Sequence, residues 1–318
     1  MNGSDVIVKV SGLVKDFRPG FGLRRKRVLH GIDLQVRRGE VFGFIGPNGA
    51  GKTTTLKILM GLIRATEGSA EILGHDVRET AFRRHVGFLP EGPYFYDFLT
   101  GREILRFYGK LAGGHAASPE SHIDELLEWV GLSQAADLRL RAYSKGMLQR
   151  IGIAQALVHD PEVVFLDEPM SGLDPIGRKE IRDLILRLHG EGKTIFMNTH
   201  ILSDVEVICD RVAIIAEGRV VHEGGAHVLL ERERQPFDIA VSGLDPELAE
   251  SLVTELDAEL RGRGERVEVR VREKDVDLTL ERILARGGRV RGVAPVNAAL
   301  EELFLKAVEG GPHEEEGA

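Results

Sequence analysis

Cysteine is nearly missing from this chain of 318 residues: Cys209 is the only one, so no disulfide can form within it, and a reducing compartment is the expected setting. Long apolar runs are missing as well. Nothing approaches the roughly 18 consecutive apolar residues that a membrane-spanning helix needs. The first ten residues lack the basic stretch and apolar stretch of a secretory signal, so none is expected. Positive charge is not in excess. The net charge is −8, a poor starting point for a nucleic-acid binder. The eleven histidines have no metal-ligand spacing, and no Ser-His-Asp set stands out. Integral-membrane, secreted and collagen-like readings fall away. A cytosolic protein that sits on a membrane surface remains.

What is present is a soluble globular balance, 42% apolar and 29% charged, with length for two domains at about 150 residues each. Residues 40–45 (EVFGFI), 162–166 (EVVFL), 194–198 (TIFMN) and 212–216 (VAIIA) are short, nearly unbroken apolar runs, as in parallel strands buried on both faces. Helical patterns lie between them, as in 177–189. This alternation predicts an α/β core with crossover helices. Residues 93–160 read as helical and interrupt it, so a helical subdomain is expected there. After 224–225 the composition turns rich in Arg and Glu. Strands at 237–242 and 266–272 alternating with helices at 247–260 and 277–286, then a strand at 289–293 and a helix at 300–308, predict a small α+β domain. The segment from residue 310 (GGPHEEEGA) has little to bury and is expected to be disordered.

Gly46, Pro47, Asn48, Gly49, Ala50, Gly51, Lys52 and Thr53 fit G-x-x-x-x-G-K-[ST] at every fixed position, between the strand EVFGFI and a helix opening at Thr54. Glycines let backbone N–H groups close around phosphate oxygens at a helix start. Lys52 adds a charge near the β and γ phosphates, and Thr53 offers a hydroxyl to Mg²⁺. A carboxylate for the metal is supplied by Asp167, at the end of the strand VVFL, and Glu168 beside it is suited to polarise the attacking water. ATP and Mg²⁺ are the expected ligands.

Several further motifs, in order, resemble the ATP-binding cassette of ABC transporters over about residues 6–224. The loop after Glu168 reads Ser171-Gly172-Leu173-Asp174, like that family's dimer-contacting loop. His200, at the end of the strand TIFMN-Thr199, matches its switch histidine. The family's Leu-Ser-Gly-Gly-Gln signature appears as Tyr143-Ser144-Lys145-Gly146-Met147, with only the serine and the second glycine kept. Phe17 stands where the family carries an aromatic against adenine. Glu91 stands where most members carry a glutamine that reaches Mg²⁺ and the attacking water. That glutamate and the C-terminal extension resemble the subgroup serving ABC-2-type exporters.

The resemblance implies a P-loop cassette over residues 1–224, with a parallel-sheet core, a β subdomain and the inserted helical subdomain, followed by an accessory domain over 225–309. It implies that two copies sandwich two ATP molecules head to tail. Glu168 and His200 would serve catalysis, Phe17 and Gly46 to Thr54 the nucleotide, and Thr53, Glu91 and Asp167 the metal. Ser144, Lys145, Gly146 and Met147 would face ATP held by the second cassette. An integral-membrane permease would be the other partner, driven in the export direction from the inner face of the membrane, with no specific nucleic acid. A soluble ABC ATPase acting on ribosomes or DNA is the alternative, but this chain has neither a second cassette nor a long coiled coil. A nucleotide sensor without turnover fits poorly with the presence of Glu168 and His200.

Two clusters are weaker signals. Arg24 to Arg27, with Arg18 and Phe21 nearby, reads first as a solvated loop, with anionic headgroups or nucleic acid as other readings. Tyr94, Phe95, Tyr96 and Phe98 either line a groove for a membrane partner's helix or pack the helical subdomain.

Overall fold

The computed structural model describes residues 5–18, 25–113, 119–226, 236–243, 246–256, 258–261 and 266–295. They fall into two compact units, one through Ala226 and one from Pro236 onward.

The first unit holds two sheets. In the antiparallel one, β1 (Val6–Phe17) and β2 (Lys26–Arg37) pair along most of their length, and β4 (Glu67–Ile72) and β5 (His75–Asp76) extend the order to β2-β1-β4-β5. The other sheet is built from β3 (Val41–Ile45), β6 (Val86–Leu89), β7 (Val163–Asp167), β8 (Thr194–Thr199), β9 (Arg211–Ala216) and β10 (Arg219–Gly225), in the order β10-β9-β3-β8-β7-β6. Its five apolar strands run parallel, and only β10 is antiparallel. Every residue of β3, β7 and β8 is buried, which is why these runs carry no polar alternation. Phe196 of β8 packs against Phe42, Phe44 and Phe165 at ring separations of 5.3–5.7 Å. Such contacts add about 0.5–1.5 kcal/mol each beyond the area they bury.

Helix α1 (Lys52–Leu59) follows β3. Between β6 and β7 come α2 (Gly101–Gly113), α3 (Glu120–Trp129) and α4 (Lys145–Leu157), the expected helical insertion. α5 (Pro175–Gly190) starts on an Asp174 cap with Pro175 in its first turn, and buries Ile181, Leu184, Ile185 and Leu188 along one stripe. α6 (Leu202–Ile208) leads into β9 through Cys209, whose thiol is buried and faces Gly43 of β3 so closely that a Cβ there would lie 2.9 Å from the sulfur. Burial pushes that thiol well above its ordinary pKa, and the charge of Asp210 adds to the shift. No helix of the described residues is long and apolar enough to cross a membrane.

The second unit runs β11 (Pro236–Ser242), α7 (Pro246–Leu256), β12 (Glu259–Arg261), β13 (Arg266–Arg272), α8 (Val276–Ala285) and β14 (Arg289–Pro295). Its strands pair antiparallel in the order β12-β13-β11-β14, the split β-α-β of ferredoxin-like domains. Ile239, Val241, Val269 and Val271 meet Leu248, Leu252 and Ile283 of the helices in one core. One expectation is corrected: the helix anticipated over 247–260 stops at Leu256. Ala258 turns inward to the core, and Glu259–Arg261 becomes a strand paired with β13. Arg24, Phe21, the helix expected at 300–308 and the tail from 310 lie outside the described residues.

Candidate nucleotide site

The ends of β3, β7 and β8 lie side by side. Register pairs Ile45 with Thr199 and Asp167 with Asn198, so the residues that follow each strand emerge at one edge. Gly46 follows β3, Glu168 follows β7 and His200 follows β8. Ligands of open α/β sheets bind at such carboxyl-terminal edges.

The loop from Gly46 to Gly51 winds tightly before α1. A Cβ on Gly46 would run into the Ile215 carbonyl, and Gly51 has φ +112 with Leu29 2.6 Å from where its Cβ would sit. These two glycines answer to packing and to a left-handed backbone. Lys52 is buried at 6% exposure. Its Nζ donates to the carbonyl of Gly46 at 2.7 Å and lies 3.6 Å from Oε1 of Glu168. A cavity of about 490 Å³ opens over this loop; Lys52, Thr53, Thr54, Glu91, Glu168 and His200 are among its walls. Pro47, Asn48, Gly49 and Ser171 also line it, and so does Val28, on β2.

Glu168 has φ +52, an uncommon conformation for a residue with a side chain. Its N–H donates to the Asn198 carbonyl at 3.0 Å, which helps hold that backbone in place. The side chain is buried, with Oε2 at 2.8 Å from Nδ1 of His200. Asp167 is buried behind it and accepts from Asn198 Nδ2 at 3.1 Å. Burial pushes the Asp167 carboxyl up. The Asn198 and Thr53 hydrogen bonds oppose that, while the negative charges of Glu91 and Glu168 push the same way as burial.

Thr53, Asp167 and Glu91 are hard oxygen donors of the kind Mg²⁺ takes. Among the described residues no three His, Cys, Asp or Glu side chains gather into a metal cage. Mg²⁺ needs none, since it is usually held by one or two carboxylates plus substrate phosphates and water. The orphaned Oδ1 of Asn198, buried beside Asp167, is a further polar group with no protein partner among the described residues.

Other expected site residues lie outside this cavity's wall. Ser144 caps α4, its Oγ accepting from the Met147 N–H at 3.2 Å. Lys145 is exposed, and its ammonium lies against Gly172 of the loop after Glu168. Gly146 faces Leu173 of the same loop. Asp174 caps α5 by accepting from the Gly177 N–H. Phe17, at the end of β1, is 40% exposed and carries the Lys15 ammonium over its ring at 4.9 Å. The aromatic cluster divides: Phe95 is buried against Tyr108, while Tyr94, Tyr96 and Phe98 are exposed. Arg27 of the basic cluster is paired with Asp16. Sequence reasoning missed Asn198 and Val28. Asn198 precedes Thr199-His200 at the end of an apolar strand, a polar residue with no other purpose there; Val28 carried no signal.

A parallel sheet, a phosphate-cradling loop before a helix and a carboxylate pair on the neighbouring strand define a P-loop nucleotide-binding protein. Comparison with known proteins narrows this. Residues 29–171 match the family model described as ABC transporter. An uncharacterized ABC transporter ATP-binding protein of Nostoc sp. is 42% identical over 95% of this chain and 90% of its own length. A bacitracin transport ATP-binding protein of Bacillus licheniformis is 42% identical over 74% of this chain and 75% of its own. A fluoroquinolones export ATP-binding protein of Mycobacterium tuberculosis is 41% identical over 68% of this chain and 69% of its own. A solved ATP-binding subunit of an ABC transporter is 31% identical, with a TM-score of 0.63 over 71% of this chain and 92% of that one. A dimeric post-hydrolysis cassette bound to ADP and Pi is 25% identical, with a TM-score of 0.64 over 69% of this chain and 99% of that one. The chain belongs to the ATP-binding proteins of ABC transporters.

Proposed function

We propose that this chain hydrolyses ATP as the motor of an exporter, two copies enclosing two nucleotides head to tail and driving a separate membrane permease. The observation that carries the reading is the meeting of a phosphate loop, Glu168 and His200 at one sheet edge, with Glu168 within reach of both Lys52 and His200. A sensor without turnover has no use for that pair. The relative named for fluoroquinolones export supports the export direction, the relative named for bacitracin transport supports a transport role, and the dimeric cassette bound to ADP and Pi supports the paired arrangement.

In this reading the N–H groups from Gly46 to Thr54 hold the phosphates, and Lys52 sets its charge against them. Thr53, Asp167 and Glu91 would hold Mg²⁺, which when bound would neutralise phosphate charge. Glu168 polarises the attacking water, and His200 orients Glu168 and meets the γ-phosphate. Phe17 offers its ring to adenine. Ser144, Lys145, Gly146 and Met147 face the nucleotide of the second copy, and Ser171, Gly172, Leu173 and Asp174 line the contact between copies. Exposed Tyr94, Tyr96 and Phe98 suit a cytosolic helix of the permease, at the inner face of the membrane. The unit that runs from β11 to β14 is the accessory domain.

Glu168→Gln tests the chemistry. It should bind ATP, accumulate as an ATP-bound dimer and hydrolyse at least about 100-fold more slowly; turnover near wild type removes Glu168 from the role. Mixing tests the shared site. Ser144→Arg protein and Lys52→Ala protein, each inactive, form mixed dimers with one intact site, and activity should return. Demonstrated mixed dimers without recovery would count against sites shared between chains.

A further inference from the structure

Behind the loop that follows Glu168, four groups on three segments come together. α5 carries Arg178 and, one turn on, Arg182. Nε of Arg178 donates to the Leu173 carbonyl at 3.2 Å. Arg182 lies 3.7 Å from Oδ1 of Asp204, in the first turn of α6. Asp204 is only 4% exposed, and its Oδ2 is buried with no hydrogen-bond partner among the described residues. Arg178 is near enough for its charge to act on Asp204.

Leu173 and Asp204 are the near continuations of two site residues. Leu173 belongs to the short loop leaving Glu168, and Asp204 lies one helical turn beyond His200. A bare carboxylate oxygen inside a protein is costly, so it calls for an explanation. A guanidinium forks readily onto a carboxylate, and Arg178 at present spends its Nε on a neutral carbonyl.

We propose that Arg178 is a positioning residue with two seats: on the Leu173 carbonyl in the lone chain, and on the bare Oδ2 of Asp204 when the loop engages a second cassette and its nucleotide. The proposal rests on the nucleotide-sandwich reading above. In the first seat Arg178 holds the dimer loop back against α5. In the second it completes the Asp204 carboxylate beside Arg182 and frees Leu173. The charge-assisted bond to Asp204 is the stronger of the two, and in the lone chain the packing of the loop against α5 offsets it, so that a bound nucleotide tips the balance. The loop that meets the partner and the turn that carries His200 thereby move as one. A static clamp at the start of α5 would instead do no more than hold the fold.

The test uses the full chain in the Glu168→Gln background. Light scattering during size exclusion gives the ATP concentration for half-maximal dimerisation, a fluorescent ATP analogue gives affinity for the monomer, and thermal melting reports the fold. Arg178→Met and Asp204→Asn should each raise the half-maximal ATP concentration by at least about fivefold, with monomer affinity unchanged. The double variant should shift it no further than the larger single change, because both lesions break one transfer. Arg178→Lys, which keeps the charge without the fork, replaces Arg178→Met should that variant melt early, and should show the same non-additivity. Arg182→Met, which strips Asp204 of its cation in the lone chain and so favours the second seat, should lower both the melting temperature and the midpoint. Additive shifts, or midpoints that stay put in folded proteins, overturn the relay alone. Failure of Glu168→Gln itself to dimerise with ATP removes the nucleotide sandwich, and the relay with it.

Discussion

The ammonium of Lys145 lies where a Cβ on Gly172 would be. The first residue of α4 and the loop after Glu168 are thus fitted to each other within one chain. Gly172 also holds φ +68. Gly172→Ala should therefore destabilise the protein by about 1–2 kcal/mol through backbone strain, the exposed Lys145 side chain swinging aside at little cost. Adding Lys145→Ala should restore little of that loss, because the φ of residue 172 is unchanged. Urea unfolding of the three variants measures this. A Gly172→Ala protein as stable as wild type would show that the loop relaxes freely.

Lys52 sits buried between the Gly46 carbonyl and Glu168, the one cation facing the loop's interior edge among the residues that line the cavity. Lys52→Ala should weaken ATP binding at least about tenfold, the loss expected for hydrogen bonds to a charged group. Calorimetric titration with ATP at fixed Mg²⁺ is the measurement. Unchanged affinity would take the phosphates away from this loop.

Glu91 lines the same cavity as Lys52 and Thr53, and its charge bears on Asp167. Carboxylate and carboxamide are alike in size, so Glu91→Gln changes charge with little change in packing. A third carboxylate favours the cation and opposes the phosphate. Glu91→Gln should shift the Mg²⁺ dependence of ATP hydrolysis while the melting temperature moves little. Superimposable Mg²⁺ curves would leave Glu91 as a linker between core and helical insertion.

In the second unit, Nε and Nη2 of Arg270 fork onto Asp238 at 2.8 and 2.9 Å. That hydrogen bonding holds the Asp238 carboxyl below its usual range, against the smaller opposing effect of burial. A carboxyl lowered in the folded state adds stability above its unfolded pKa, and that stability fades as pH falls through the folded value. Asp238→Asn should cost this unit about 1 kcal/mol at pH 7, shrinking as pH drops below about 4. Hydrogen exchange of β11 amides at several pH values reads it directly. A cost that is the same at pH 7 and pH 3 would assign it to geometry alone.

The features that sequence reveals best here are those set by local pattern. Unbroken apolar runs marked β3, β7, β8 and β9 because both faces of a parallel sheet are buried, and Gly46 to Thr53 were legible because phosphate cradling restricts residue type at each position. β1 was harder. Its pairing with β2 shifts register around Gly12, so its buried residues, Ile7, Val8, Val10, Leu13 and Val14, do not alternate cleanly. The end of α7 was misplaced because Ala258 and Leu260 continue an apolar helical pattern, while pairing with β13 decides the outcome. Long-range pairing of this kind leaves no local trace. Nor does the φ of Glu168, which depends on the Asn198 carbonyl one strand away.

The thiol of Cys209, sealed against Gly43 and held protonated, makes the natural chain chemically silent toward thiol-reactive dyes. A cysteine introduced at Tyr94, 93% exposed, would be the sole reactive handle without first removing the native one. A spectroscopic label placed there on each copy gives a ruler across any pair the chain forms. In the proposed pair it would read closure on ATP and reopening after hydrolysis, in a protein whose own core has not been altered.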